Sequence, residues 1–256
     1  MTVKAKKYLG QHFLINKKIS EKIVDSLDLN KNLHIIEIGP GQGALTQFLI
    51  KKTNQIILIE IDQECIKVLK NQFQKTKIIY GDILKIDLNI LKIDSYSIIG
   101  NFPYNISSQI LFKVLEHRNN IQQVVGMFQK EVADRICSKP KSKKYGILSV
   151  LMQAYFNCTQ LLDVYPEDFR PKPKVNSSVI KLTRNNTAKL KCDHKQLTEV
   201  VKLAFGQRRK TLKNALKKIT NLEELNLTKI MNNRAEELTV SQFIELTIQI
   251  FKKKTR

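Results

Sequence analysis

A chain of 256 residues with 42% apolar side chains can bury a core, with room for one sizeable domain and a smaller one, which excludes a wholly disordered polymer. Lysine and arginine number 44 against 23 acids, a net charge of +21, so the surface attracts polyanions, nucleic acid first and an anionic membrane surface second. The four cysteines are scattered without a C-x-x-C pair, the four histidines show no metal-ligand spacing with them, and no apolar run approaches a signal peptide or a membrane span. These features predict reduced thiols, no metal and a cytoplasmic location.

In chain order, "LHIIEIG" (33–39), "QIILIEI" (55–61), "KIIY" (77–80), "SIIG" (97–100) and "QQVVGMF" (122–128) read as buried strands. Helical patterns at 43–52, 63–74 and 107–117 lie between them. Continuous apolar strands alternating with amphipathic helices predict an α/β fold with a parallel sheet. A less regular zone follows, with the basic loop "SKPKSKK" (138–144) and the segment "DVYPEDFRPKPKVNSSVIKL" (163–182), whose end, "SSVIKLTR", reads as a last strand. After residue 185 the chain reads as helices and carries sixteen basic against seven acidic residues. We expect two domains, 1–184 and 185–256.

"EIGPGQGALT" (37–46) closes the first strand and opens a helix. Gly39, Gly41 and Gly43 let the backbone turn tightly beside a ligand. The loop lacks the Lys-Ser/Thr of a triphosphate-binding loop, and its glycine spacing is not that of the dinucleotide fingerprint. Glu60 ends the second strand, where an acid can hold both hydroxyls of a ribose. Asp82, in "YGDI", follows the third strand, where a carboxylate can accept from an adenine amine. Alone, Asp82 reads better as a helix cap or a solvated loop charge than as a ligand. All three positions fall at the carboxyl ends of strands, the ligand side of an open α/β sheet.

This layout resembles the S-adenosylmethionine-dependent methyltransferases, which implies a Rossmann-like methyltransferase sheet with a smaller C-terminal α-helical domain. The resemblance also gives a reading of "SIIGNFPYNISS" (97–108), because an Asn-x-Pro-aromatic turn after the fourth strand resembles the motif of enzymes that methylate exocyclic amines of bases. The side-chain oxygen of Asn101 and the carbonyl of Pro103 can accept from a base amine, and Tyr104 offers a flat face for stacking. Phe102 reads as a core plug.

Seven segments sharpen the resemblance: "YLGQHFLIN" (8–16), "EIGPGQGALT", "IEID" (59–62), "GDIL" (81–84), "GNFPYNISS", "PEDFRPKPKVNSSVIKL" and "FGQRRKTLKNAL" (205–216). In this order they resemble the small-subunit ribosomal RNA adenine dimethyltransferases, the kasugamycin-resistance family, over nearly the whole chain. The resemblance implies cofactor contacts for Gln11, His12, Leu14, Gly39, Gly41, Glu60, Ile61, Asp82, Ile83 and Asn101. It implies catalytic roles for Asn101, Pro103 and Tyr104, with Phe169 covering the target base opposite Tyr104. Two departures bear on packing near the cofactor: Phe102 stands where Leu is usual, and His12 where Asn is common.

"QRRKTLKNALKKI" (207–219) places Leu212, Ala215, Leu216 and Ile219 at helical spacing. Arg208, Arg209, Lys210, Lys213 and Lys217 are then available to RNA phosphates. The family resemblance implies dimethylation at N6 of two adjacent adenosines in the 3′-terminal hairpin loop of small-subunit ribosomal RNA. Its partners would be that RNA or the assembling small subunit, with no membrane, and the protein a monomer. The alternatives are a large-subunit enzyme of the erythromycin-resistance type and a non-catalytic ribosome-assembly factor.

Overall fold

The computed structural model describes residues 3–29, 33–185, 190–219 and 228–254. They form two compact units, one of Met1–Ala133 with Cys158–Arg184, the other of Asp134–Asn157 with Asn185–Arg256.

In chain order the elements of the first stretch are β1 (Phe13–Leu14), α1 (Lys17–Asp25), β2 (His34–Ile38), α2 (Thr46–Leu49), β3 (Ile56–Glu60), α3 (Gln63–Gln72), β4 (Lys77–Tyr80), β5 (Tyr96–Asn101), α4 (Ser107–Glu116), β6 (Ile121–Gln129) and α5 (Lys130–Cys137). After α6 (Ile147–Gln153) the chain returns to strands, β7 (Phe156–Val164), β8 (Phe169–Arg170) and β9 (Ser177–Arg184). Seven strands form one sheet in the order β4-β3-β2-β5-β6-β9-β7. The first five run parallel, and β9 lies antiparallel to β6. The strands expected from sequence are present; β7 lies in the zone that read as irregular.

Burial explains the strand pattern. β3 is buried along its whole length, so both of its faces need apolar side chains, and "IILI" supplies them. β4 is the sheet edge and keeps Lys77 and Tyr80 exposed. The chain leaves β2 toward β3 and β4, then crosses back to place β5 on the other side of β2. That reversal opens a crevice at the carboxyl ends of β2 and β5. Side-chain caps define the helix starts: Asn16 accepts from the amides of Lys18 and Ile19 for α1, and Asp62 from Glu64 for α3.

Phe102 is the core plug that its sequence suggested, 1% exposed and edge-on to Phe128 at 5.1 Å between ring centres. Gly100 and Gly126 are paired across β5 and β6, and a Cβ on Gly100 would stand 2.6 Å from the Phe102 ring. A Cβ on Gly126 would overlap the rings of Phe102 and Phe128. Two glycines side by side therefore make the pit that admits a phenyl ring at this position.

The second unit contains α6, α7 (His194–Gly206), α8 (Leu212–Ala215), α9 (Thr228–Met231) and α10 (Val240–Lys254). The boundary expected at 185 needs correcting, because Asp134–Asn157 also belongs to this unit. The reason is α6, which packs on α7 and α10 and buries Val150, Leu151 and Met152. The single helix expected over 207–219 is also broken. The amide of Lys210 bonds back to Gln207, Thr211 pairs with Arg234, and the Leu212 amide bonds to Asn233. Only Leu212–Ala215 remains helical. Leu212, Ala215 and Leu216 are buried as their spacing predicted, and Ile219 is half-buried.

Candidate active site

The carboxyl ends of β2, β3, β4 and β5 carry Gly39, Glu60, Asp82 and Asn101 into one cavity of about 450 Å³. That size suits a nucleoside-sized ligand. Gln11, His12, Leu14, Gly41, Ile61, Ile83, Pro103 and Tyr104 also line it, so every sequence-predicted residue of the cofactor and catalytic sets except Phe169 meets there.

The glycine loop is shaped by its conformation and by Phe13. Gly41 has φ +57°, and a Cβ there would stand 3.0 Å from the Phe13 ring. Its amide donates to Glu60 Oε2 at 3.0 Å, while the amides of Ile61 and Asp62 donate to Glu60 Oε1 at 2.8 and 2.9 Å. Glu60, only 4% exposed, thus ties the loop to the end of β3. Burial raises its carboxyl above the usual range, against the three amide bonds that favour the charged form. Asp82 Oδ1 accepts from the Leu84 amide at 3.0 Å, which is the capping role, and its carboxylate also borders the cavity.

Two buried acids beside the site had no assigned role in the sequence reading. Glu37, in the middle of an isoleucine strand, accepts from the Thr46 hydroxyl at 2.7 Å and lines the cavity. Burial pushes its carboxyl up to about 8; the Thr46 bond opposes the shift and the Glu60 charge adds to it. A lone acid inside "IIEI" was the available signal. Asp62 accepts from Lys6 Nζ at 2.6 Å, Gln11 Nε2 at 2.8 Å and the Glu64 amide at 2.9 Å. Burial raises its carboxyl, but the Lys6 and Gln11 bonds outweigh it and hold the group below the usual range. The ion pair fastens the N-terminal segment beside the cavity.

The same segment reaches the Asn-Phe-Pro-Tyr turn. Asn101 Nδ2 donates to the His12 carbonyl at 2.8 Å. Its amide orientation is thereby set, and among the described residues no protein donor reaches its side-chain oxygen. The Pro103 carbonyl already accepts from the Ile106 amide at 3.2 Å, which leaves it one of two acceptor positions. The His12 ring stacks on Tyr104, with centres 5.6 Å apart and planes at 25°, and its Nδ1 donates to the Pro171 carbonyl at 2.7 Å. Tyr104 is hydrogen-bonded through its hydroxyl to Ser177 Oγ. Burial raises its phenol, and the Ser177 bond works the other way.

Two of the expected residues are found with other partners. Phe169 does not face the cavity. It pairs with Leu14 across β1 and β8, is 2% exposed and packs in the core, so it has no free face for a base. Arg208 is engaged within the second unit. Its Nε donates to Glu236 at 2.6 Å and an Nη donates to the Lys143 carbonyl at 2.6 Å, bracketing two loops of the second unit. Arg209, Lys210, Lys213 and Lys217 are exposed. Among the described residues no cluster of His, Cys, Asp and Glu could hold a metal ion, and no helix is long and apolar enough to cross a membrane.

The family described as ribosomal RNA adenine dimethylase matches residues 2–253. A "Ribosomal RNA small subunit methyltransferase A" of Cytophaga hutchinsonii is 50% identical over 250 residues, 96% of each chain. The protein of that name in Flavobacterium johnsoniae is 48% identical over 251 residues, 97% of this chain and 96% of its own. A crystal structure of a dimethyladenosine transferase from Plasmodium falciparum superposes with a TM-score of 0.84 at 25% identity, covering 95% of this chain and 98% of its own. That of the 23S rRNA methyltransferase ErmE shares the fold, with a TM-score of 0.73 at 22% identity over 93% and 99% of the two chains. With a family match that spans nearly every residue and relatives about half identical over the same length, this chain belongs to the ribosomal RNA adenine dimethylase family.

Proposed function

We propose that the protein transfers methyl groups from S-adenosylmethionine to N6 of two adjacent adenosines in the 3′-terminal hairpin loop of small-subunit ribosomal RNA, in the cytoplasm, leaving N6,N6-dimethyladenosines. The observation that carries this reading is the free side-chain oxygen of Asn101, oriented because its NH2 is committed to the His12 carbonyl.

S-adenosylmethionine, when bound, supplies an electrophilic methyl group on a sulfonium. Glu60 and Asp82, at the ends of β3 and β4, would hold its polar groups, with Ile61 and Ile83 beside them. Gly39 and Gly41 leave the loop open for close approach, and Gln11, His12 and Leu14 would cover it. The donor set fits an adenosine: carboxylates for hydroxyls and an amine, apolar side chains for a flat ring, and a cavity of suitable volume.

An exocyclic amine is a weak nucleophile because its lone pair is delocalised into the ring. Asn101 Oδ1 and the second lone pair of the Pro103 carbonyl can accept hydrogen bonds from both N–H groups before the first transfer and from the one that remains before the second, each transfer releasing one amine proton. Held this way, the nitrogen is biased toward a tetrahedral shape that localises the lone pair. Catalysis then comes from positioning and electrostatics. Tyr104, anchored by Ser177, presents the ring against which the base is oriented. A base in this position must be drawn out of a loop or flipped from its stack.

The test uses purified protein, methyl-labelled S-adenosylmethionine and small ribosomal subunits that lack the modification. The RNA is digested and its nucleosides identified by mass spectrometry. Dimethyladenosine mapped to the 3′-terminal hairpin is the expected result. Label only in large-subunit RNA, or none despite cofactor binding, would overturn the assignment.

A further inference from the structure

The N-terminal segment borders the cavity with a feature that the chemistry above does not use. Tyr8 lines the cavity yet is 76% exposed. It sits in a tight turn, with the Leu9 amide bonded to the Lys6 carbonyl at 3.1 Å and the Gly10 amide to Lys7 at 3.0 Å. The turn is pinned on one side by Lys6, which pairs with Asp62 at 2.6 Å and Glu64 at 3.1 Å. On the other side a Cβ on Gly10 would stand 2.5 Å from Asn105 Oδ1 and 3.5 Å from the Pro103 side chain. Two residues span at most ~7 Å, so Tyr8 is held close to the turn that faces the target base. A solvent-facing ring carried on a pinned turn at that distance offers a base a surface to stack on.

Cations flank it. Lys4 and Lys7 are exposed and, unlike Lys6, have no acidic partner among the described residues. The segment is also hydrogen-bonded to residues 168–171: Phe13 and Leu14 pair with Arg170 and Phe169, the Ile15 amide bonds to the Asp168 carbonyl at 2.8 Å, and His12 bonds to Pro171. That second stretch exposes Arg170, Lys172 and Lys174, again without an ion pair among the described residues. An aromatic ring among exposed cations is the pattern that holds single-stranded nucleic acid, with bases on the ring and phosphates on the charges.

We propose that this rim is the RNA-facing surface of the catalytic unit. Tyr8 stacks on a base next to the target adenosine, and Lys4, Lys7, Arg170, Lys172 and Lys174 hold the flanking phosphates. The proposal rests on the RNA-methylating function above and adds a contact surface outside the helical unit.

The chain contains no tryptophan, so Tyr8→Trp creates a single fluorescent reporter at the proposed contact. It is titrated with an unmodified RNA hairpin carrying two adjacent adenosines in its loop, and with a fully paired duplex of equal length. The expected result is saturable quenching by the hairpin and much less by the duplex. Tyr8→Ala should weaken hairpin binding by about 5- to 100-fold, the usual range for a lost stacking partner, and Tyr8→Phe should restore it. Lys172→Glu with Lys174→Glu should flatten the dependence of binding on salt. S-adenosylmethionine affinity, measured by calorimetry, should be the same in Tyr8→Ala and the parent. No quenching by the hairpin, unchanged hairpin affinity in Tyr8→Ala, or a loss confined to S-adenosylmethionine would overturn the proposal. Methylation of the hairpin by the parent protein is measured in parallel; its failure would count against the proposed reaction, while the rim is judged on quenching and affinity.

Discussion

The carboxamide of Asn101 and the backbone carbonyl of His12 are joined by a 2.8 Å hydrogen bond. This bond decides which end of the amide is left to accept from a base. Asn101→Ala removes the acceptor at the end of β5 while leaving the buried residues Tyr96–Gly100 of that strand untouched. We expect single-turnover methyl transfer to fall by about 10²-fold or more, the scale seen when one oriented polar group is lost from a reacting site. Far-ultraviolet circular dichroism and the unfolding midpoint should stay near the parent values. A transfer rate equal to the parent's would remove Asn101 from the mechanism.

Glu37 sets a pH dependence of stability. Its carboxyl is held at about 8 in the folded chain, against an ordinary value near 4.5. Between those values the folded state keeps a proton that the unfolded state has released. Unfolding therefore releases a proton, and stability from this group falls as pH rises from about 4.5 to about 8. Glu60, also shifted upward by burial, contributes with the same sign. Glu37→Gln should gain stability over the parent progressively across that window. Urea unfolding at pH 5, 6.5 and 8 reads the difference, and a gap that does not widen with pH would contradict the assignment.

The Phe102 pit makes a volume prediction. Gly126→Ala drives a methyl group into the Phe102 and Phe128 rings and should cost about 1–3 kcal/mol, typical of overpacking. Phe102→Leu in the same chain removes part of the obstructing ring and should recover some of that loss. A double-mutant cycle from denaturant unfolding gives the coupling directly. Additive costs would show that the two sites do not share the space.

Arg208 and its neighbour Arg209 should separate stability from RNA binding. Arg208→Ala breaks the bracket to Glu236 and Lys143, and we expect about 1 kcal/mol of lost stability, kept small because the side chain is partly exposed. Arg209→Ala should leave stability within about 0.5 kcal/mol of the parent and reduce the salt slope of RNA binding by about one. Thermal melts and binding isotherms at several salt concentrations distinguish the pair. The opposite pattern would return Arg208 to the RNA-contacting set.

The parallel strands and the Gly39, Glu60, Asp82 and Asn101 positions were legible because each depends on local patterning: apolar runs that end in a polar residue where the sheet opens. What was hidden depends on distant partners. The family resemblance sets Phe169 over the target base, whereas its pairing with Leu14 across β1 and β8 buries it. Arg208 reads as a free cation until Glu236, 28 positions away, claims it. The helical face of 207–219 breaks because Thr211 and Leu212 spend their backbone on Arg234 and Asn233. Asp62 gave no sign of its link to Lys6, 56 positions earlier.

Assigning α6 to the helical unit has a consequence for the order in which the chain matures. Val150, Leu151 and Met152 emerge well before α7 and α10, the helices that cover them. At about 5–20 residues per second, roughly 4–20 seconds pass between synthesis of α6 and the start of α10. During that interval the nascent polypeptide carries an uncovered apolar helix between two strands of its sheet. A chain cut at residue 184 would keep α6 but lose α7 and α10, which pack on it, and so leave an apolar face uncovered.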